Sequence, residues 1–103
     1  MHKTLTHLVY EKLKKDCPKL NSLCRDILLF LFKHKKLSFA SLKMLLDVNK
    51  RELRDALEIL EELDAIKFRA PYYCVDDPFE SLYNMIVNIT EKKNKIAISK
   101  ITN

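Results

Sequence analysis

Residues 37–75, LSFASLKMLLDVNKRELRDALEILEELDAIKFRAPYYCV, decide the fold. Leu42, Leu45 and Leu46 fall at helical spacing, and so do Leu53, Ala56, Leu57 and Leu60. Apolar residues recurring every three to four positions mark one face of an amphipathic helix. The spacing predicts a helix over about 39–46 and another from about 50 to 63. Asp47-Val48 makes the turn between them, where a side chain tolerant of left-handed geometry is needed. Asn49 is an N-cap, and Glu52 three residues later completes a pattern resembling a capping box. Residues 66–69 and 72–75 then alternate around Ala70-Pro71 as two brief strands. The expected class is mainly α with a small β-hairpin.

Upstream, Leu5, Leu8, Val9 and Leu13 place an amphipathic helix over about 4–15, stopped by Cys17-Pro18 because proline disfavours helix in the residue before it. Asn21 or Ser22 caps a second helix running to about His34. Its apolar positions Leu23, Cys24, Ile27, Leu28, Phe30, Leu31 and Phe32 cover most of the circumference, as in a central buried helix. Leu37-Ser38-Phe39 reads as a short strand. Downstream, Asp76 or Asp77 before Pro78 is a helix start. Phe79, Leu82, Tyr83, Ile86 and Ile89 form one stripe over about 79–92, and the weakly patterned tail 94–103 is expected to fray or add a short element.

The 103 residues suit a single domain, with 48% hydrophobic and 32% charged residues. The chain contains no glycine, which excludes the glycine-rich loops that cradle phosphates and leaves Asp, Asn and Pro to make the turns. Cys17, Cys24 and Cys74 form no C-x-x-C pair, so neither a disulfide framework nor a zinc site is signalled. Cys24 and Cys74 read as small core residues and Cys17 as the exposed thiol. Apolar run 27–32 is far short of the roughly 20 residues of a membrane span, and the N-terminus lacks signal-peptide features. A cytoplasmic location is expected, or a nuclear or host-cell one in a eukaryote or virus. No HExxH, nucleophile–base pair or cleft of paired carboxylates is legible, so catalysis, metals and cofactors are not expected.

The net charge of +5 is segregated along the chain. Residues 1–36 hold nine Lys/Arg against three Asp/Glu, residues 37–66 four against seven, and residues 67–103 six against four. The basic charge therefore lies mostly outside the paired helices. Lys12, Lys14, Lys15 and Lys19, with Lys33, Lys35 and Lys36, form a cluster that reads as a second phosphate-binding surface or as a solvated basic face, and the lack of interleaved aromatic residues to stack bases favours the solvated face. Tyr72 and Tyr73 alternate, so one of them packs inward.

The run LSFASLKMLLDVNKRELRDALEILEELDAIKF resembles the winged helix-turn-helix superfamily, as in MarR-like and ArsR-like regulators and small winged-helix proteins of archaea and their viruses. The resemblance covers about 40 residues plus the preceding helix. It implies a winged helix with extra N- and C-terminal helices: helix-turn-helix at about 39–63, wing at about 66–75. In that family the start of the second helix enters the major groove and the wing touches flanking backbone. By position, Asn49, Lys50, Arg51, Arg54 and Asp55 would face DNA, with Lys43 near phosphate and Lys67 and Arg69 on the wing. The implied function is a sequence-specific regulator of transcription that binds double-stranded DNA. This chain departs from the family in its short wing, with Pro71 at the tip, and in Asp55, Glu58, Glu61 and Glu62 along the recognition helix.

Regulators of this kind dimerise through helices outside the motif. Helices at about 4–15 and 78–92 are expected to form a homodimer interface through Leu5, Leu8, Phe79, Leu82, Ile86 and Ile89, the alternative being that the stripe of the last helix packs against the winged helix of the same chain. The competing expectation is an interaction module in a transcription or replication assembly, which the acidic helix and stunted wing favour.

Overall fold

The computed structural model describes the backbone of residues 5–102 and the side chains of residues 6–91. In chain order it contains α1 (Leu5–Asp16), α2 (Ser22–His34), β1 (Lys36–Ser38), α3 (Phe39–Leu46), α4 (Lys50–Glu62), β2 (Lys67–Arg69), β3 (Tyr72–Cys74) and α5 (Pro78–Thr102). The fold is mainly helical with a small antiparallel sheet of strand order β1-β3-β2. No described helix is long and apolar enough to cross a membrane.

α2 is central and packs against α3, α4 and β1. Cys24, Ile27, Leu28 and Leu31 are buried on it, while Phe30 and Phe32 are only half-buried. Asn21 caps it, its side-chain oxygen accepting the Cys24 N–H at 3.0 Å. The Asn21 carbonyl in turn accepts the hydroxyl of Tyr10, a buried residue of α1. On α4, Leu53, Ala56, Leu57 and Leu60 are all buried, as their spacing predicts. Burying each leucine contributes roughly 1.5–3 kcal/mol, more than any surface charge on that helix can.

Without glycine, three helix ends are turned by residues with positive φ: Lys35 (69°), Asp47 (49°) and Asp64 (56°). Left-handed backbone costs an L-residue about 1–2 kcal/mol, so each must be held by other bonds. At the end of α4 the Ala65 N–H reaches the Leu60 carbonyl at 2.9 Å and the Asp64 N–H reaches Glu61 at 3.0 Å. This is a Schellman motif with aspartate where glycine is usual.

The structure corrects several expectations. The two-strand hairpin is extended by β1, which pairs with β3 through Lys36↔Cys74 and Ser38↔Tyr72. Phe39 opens α3 rather than closing a strand, because the Ser38 hydroxyl caps that helix by accepting the Ser41 N–H at 3.2 Å. Only Leu42 of α3 is fully buried; Leu45 is 48% exposed and Leu46 half-buried, since eight residues offer the core a narrow face. α5 runs to Thr102 rather than ending near residue 92, and residues 92–102 contain neither proline nor glycine to stop it. Cys17 is half-buried against the core rather than fully exposed.

The α5 stripe also divides. Leu82 and Ile89, expected at a dimer interface, are buried in the chain's own core together with Met85. Phe79, Tyr83 and Ile86 point outward at 70%, 64% and 40% exposure. At 3.6 residues per turn the two sets lie about a quarter-turn apart. The inner one faces the body of the protein, where α5 contacts α1.

Candidate nucleic-acid interface

The turn between α3 and α4 is built by local chemistry. The Asp47 N–H closes α3 on the Lys43 carbonyl at 3.0 Å, and the left-handed Asp47 then redirects the chain. Asn49 restarts the helix, accepting the Glu52 N–H on its side-chain oxygen at 2.8 Å. Because Leu53, Ala56, Leu57 and Leu60 are spent inward, Lys50, Arg51, Arg54, Asp55, Glu58, Glu61 and Glu62 are left exposed. Lys43 is exposed on α3 just before the turn.

Exposed charge along α4 is mixed at its start, where Lys50, Arg51 and Arg54 stand among Glu52 and Asp55, and acidic after it. At 1.5 Å per residue, Arg51 and Glu61 are roughly 15 Å apart along the axis, beyond the Debye length of about 8 Å at physiological salt. Glu61 and Glu62 therefore weaken the field at Arg51 little. Asp55 and Glu58, within about one turn of Arg54, oppose it directly. Among the described residues no ion pair engages Lys43, Lys50, Arg51, Arg54 or Lys67.

The two sheet faces separate the remaining candidates. Register places Leu37, Phe68 and Tyr73 on one face and Lys36, Ser38, Lys67, Arg69 and Tyr72 on the other. Tyr73 is the inward tyrosine, half-buried and packed against the core. Burial, then the charge of Glu61, pushes its hydroxyl above the ordinary value, and Arg54 works against them. Thus the structure brings Asn49, Lys50, Arg51 and Arg54 together, while Lys67 and Arg69 lie on the sheet face opposite Tyr73. Arg69 is moreover already paired: its guanidinium makes two hydrogen bonds to the Asp76 carboxylate, at 3.1 and 2.8 Å. Lys67 is the hairpin cation left without such a partner.

Of the expected dimer residues, Leu8 is 51% exposed on α1, and Phe79 and Ile86 are exposed on α5. The side chain of Leu5 lies outside the described residues. Two features escaped the sequence pattern. Met44 on α3 is 80% exposed beside Leu45, an apolar pair in a helix short enough to read as all core. Tyr72 lies under Lys36, with the ammonium 4.9 Å from the ring centroid, so an aromatic does join the lysine cluster, through strand pairing rather than sequence proximity.

Comparison with known proteins returns no matching family model, no matching curated protein and no matching solved structure.

Proposed function

We propose that the chain is a winged helix-turn-helix regulator that binds double-stranded DNA in a sequence-specific way. The observation that carries this reading is the exposed set Asn49, Lys50, Arg51 and Arg54 at the start of α4, whose three cations make no ion pair among the described residues. It follows a helix and a tight turn and precedes a hairpin paired onto β1. Arginine reads guanine bidentately and asparagine reads adenine, both through the major groove. Lys43 and Lys67 supply backbone contacts from either side. A homodimer through the exposed Leu8, Phe79, Tyr83 and Ile86 sets two such helices about 34–36 Å apart, one turn of duplex.

Fluorescence anisotropy with mixed duplex DNA at two salt concentrations tests the reading. Binding weakens steeply with salt, and Arg51→Ala or Arg54→Ala each costs about 1–3 kcal/mol of affinity for the preferred sequence. Salt-insensitive or absent binding removes the proposal.

A second reading, an interaction module without DNA contact, is favoured by the exposed Met44 and Leu45 on α3. They lie on the helix preceding the candidate recognition helix, where flexible apolar side chains suit a protein partner. Under that reading Met44→Lys abolishes partner binding and Arg51→Ala does not.

A further inference from the structure

The sheet face opposite Tyr73 carries a cleft of about 440 Å³, walled by His34, Lys35, Lys36, Arg69, Tyr72 and Asp76. These residues come from two segments more than thirty positions apart, and the main chain joins them. Lys35, with φ of 69°, turns the chain out of α2, and its carbonyl accepts the Val75 N–H at 2.9 Å. Strand register then places Lys36 opposite Cys74 and Arg69 opposite Tyr72. Lys36 sits over the Tyr72 ring at 4.9 Å, within cation–π distance. His34 stacks on Phe30 with ring centroids 6.3 Å apart and planes 13° apart, which orients its ring at the cleft wall.

Three fixed cations, Lys35, Lys36 and Arg69, face a single carboxylate, Asp76. The C-terminal end of α2 subtracts only about half a unit of charge, so the cleft remains an anion site. Its volume falls within the roughly 300–1,000 Å³ of small-molecule sites, more than a bare phosphate fills. Tyr72, 39% exposed, offers a ring to the remainder.

We propose that this cleft binds a nucleoside monophosphate unit, with the phosphate among Lys35, Lys36 and Arg69 and the base against Tyr72. Asp76 acts as an internal competitor, holding the Arg69 fork until the phosphate displaces it. The ligand is either a free nucleotide or one within a single strand, since both present the same phosphate and base. The site is independent of duplex binding by α4.

The test is titration of the full chain with AMP, inorganic phosphate and an oligothymidylate, followed by amide NMR shifts. AMP is expected to shift residues 34–36 and 69–76 and to bind about tenfold tighter than phosphate, the difference that stacking supplies. Tyr72→Ala abolishes that difference and Lys36→Ala weakens both ligands. Asp76→Asn tightens both about two- to fivefold, as removal of an exposed competing ion-pair partner does. This gain cannot come from misfolding. AMP tighter than the oligonucleotide assigns the cleft to a free nucleotide, and the reverse order to a strand. The proposal is overturned by shifts confined to residues 49–54, by equal binding of AMP and phosphate, or by no gain in Asp76→Asn.

Discussion

The Ser81 hydroxyl donates to the Ala65 carbonyl at 2.6 Å, a buried bond between α5 and the turn that ends α4. It is one of three. Asn84 donates to the Asp64 carbonyl at 3.0 Å and Asn88 to the Leu63 carbonyl at 2.7 Å. Positions 81, 84 and 88 share one helix face, so a polar stripe on α5 satisfies three consecutive carbonyls after α4. Those carbonyls point away from the helix because Asp64 is left-handed, and buried ones need partners. α5 thus fixes the angle at which the chain leaves α4 for β2, and with it the position of the hairpin relative to Arg51 and Arg54.

Removing that bond tests the clamp. Ser81→Ala leaves the Ala65 carbonyl buried without its partner, at an expected cost of about 1–3 kcal/mol. Asn84→Ala, at an exposed bond, is expected to cost less. For a domain of this size each kcal/mol lowers Tm by roughly 4–8 °C, and thermal unfolding followed by circular dichroism reads the difference. Equal Tm values for the two variants would refute the clamp.

The divided stripe on α5 makes a second contrast. Met85→Ala empties a fully buried position and is expected to cost about 2–5 kcal/mol. Ile86→Lys, one residue on and exposed, is expected to change monomer stability by less than about 0.5 kcal/mol. If Phe79, Tyr83 and Ile86 bind a second copy, Ile86→Lys shifts the chain from dimer to monomer in analytical ultracentrifugation. A wild-type chain that is monomeric throughout the concentration range counts against the dimer.

The α3–α4 region was legible because its signals are local. The N-cap oxygen of Asn49 binds an N–H three residues away, and the buried face of α4 repeats every turn. α5 was not, because apolar residues occupy two faces of it and spacing alone cannot tell which meets the core. Spacing places Leu82 and Ile89 on one stripe with Phe79, Tyr83 and Ile86 and does not mark Met85. The bonds from Ser81, Asn84 and Asn88 leave no pattern either, since their partners are main-chain carbonyls 16 to 25 positions earlier. Lys36 and Tyr72 meet only through strand register, as do the walls of the cleft. Composition predicted a solvated lysine face; register adds the ring.

Arg69 and Asp76 give a pH dependence of known sign. The paired hydrogen bonds from Arg69 hold the Asp76 carboxyl below its ordinary value of 3.8, with lesser help from the charges of Arg69 and Lys67. A carboxyl whose pKa is lowered by folding adds stability above its unfolded value and loses it as pH falls through the folded value. Wild type is therefore expected to exceed Asp76→Asn in Tm at neutral pH, with the gap closing below pH 3.8. Both groups are exposed, so the gap is small and shrinks with salt. A gap that widens on acidification contradicts the assignment.

Asn49 separates the structural demand on α4 from the functional one. Its side-chain oxygen caps the helix by accepting the Glu52 N–H, and Asn49→Ala is expected to cost about 1 kcal/mol. Aspartate caps equally well and adds a negative charge that the helix N-terminus favours by about 0.3–1 kcal/mol. Asn49→Asp should therefore keep or raise Tm. Facing DNA, that same charge is repelled by phosphate and cannot donate to adenine, so duplex affinity should fall about tenfold or more. Measured together, unfolding and anisotropy then move in opposite directions for Asn49→Asp and in the same direction for Asn49→Ala. If Asn49→Asp binds duplex DNA as tightly as wild type, the start of α4 does not face the duplex, and the reading of this helix as the recognition element fails.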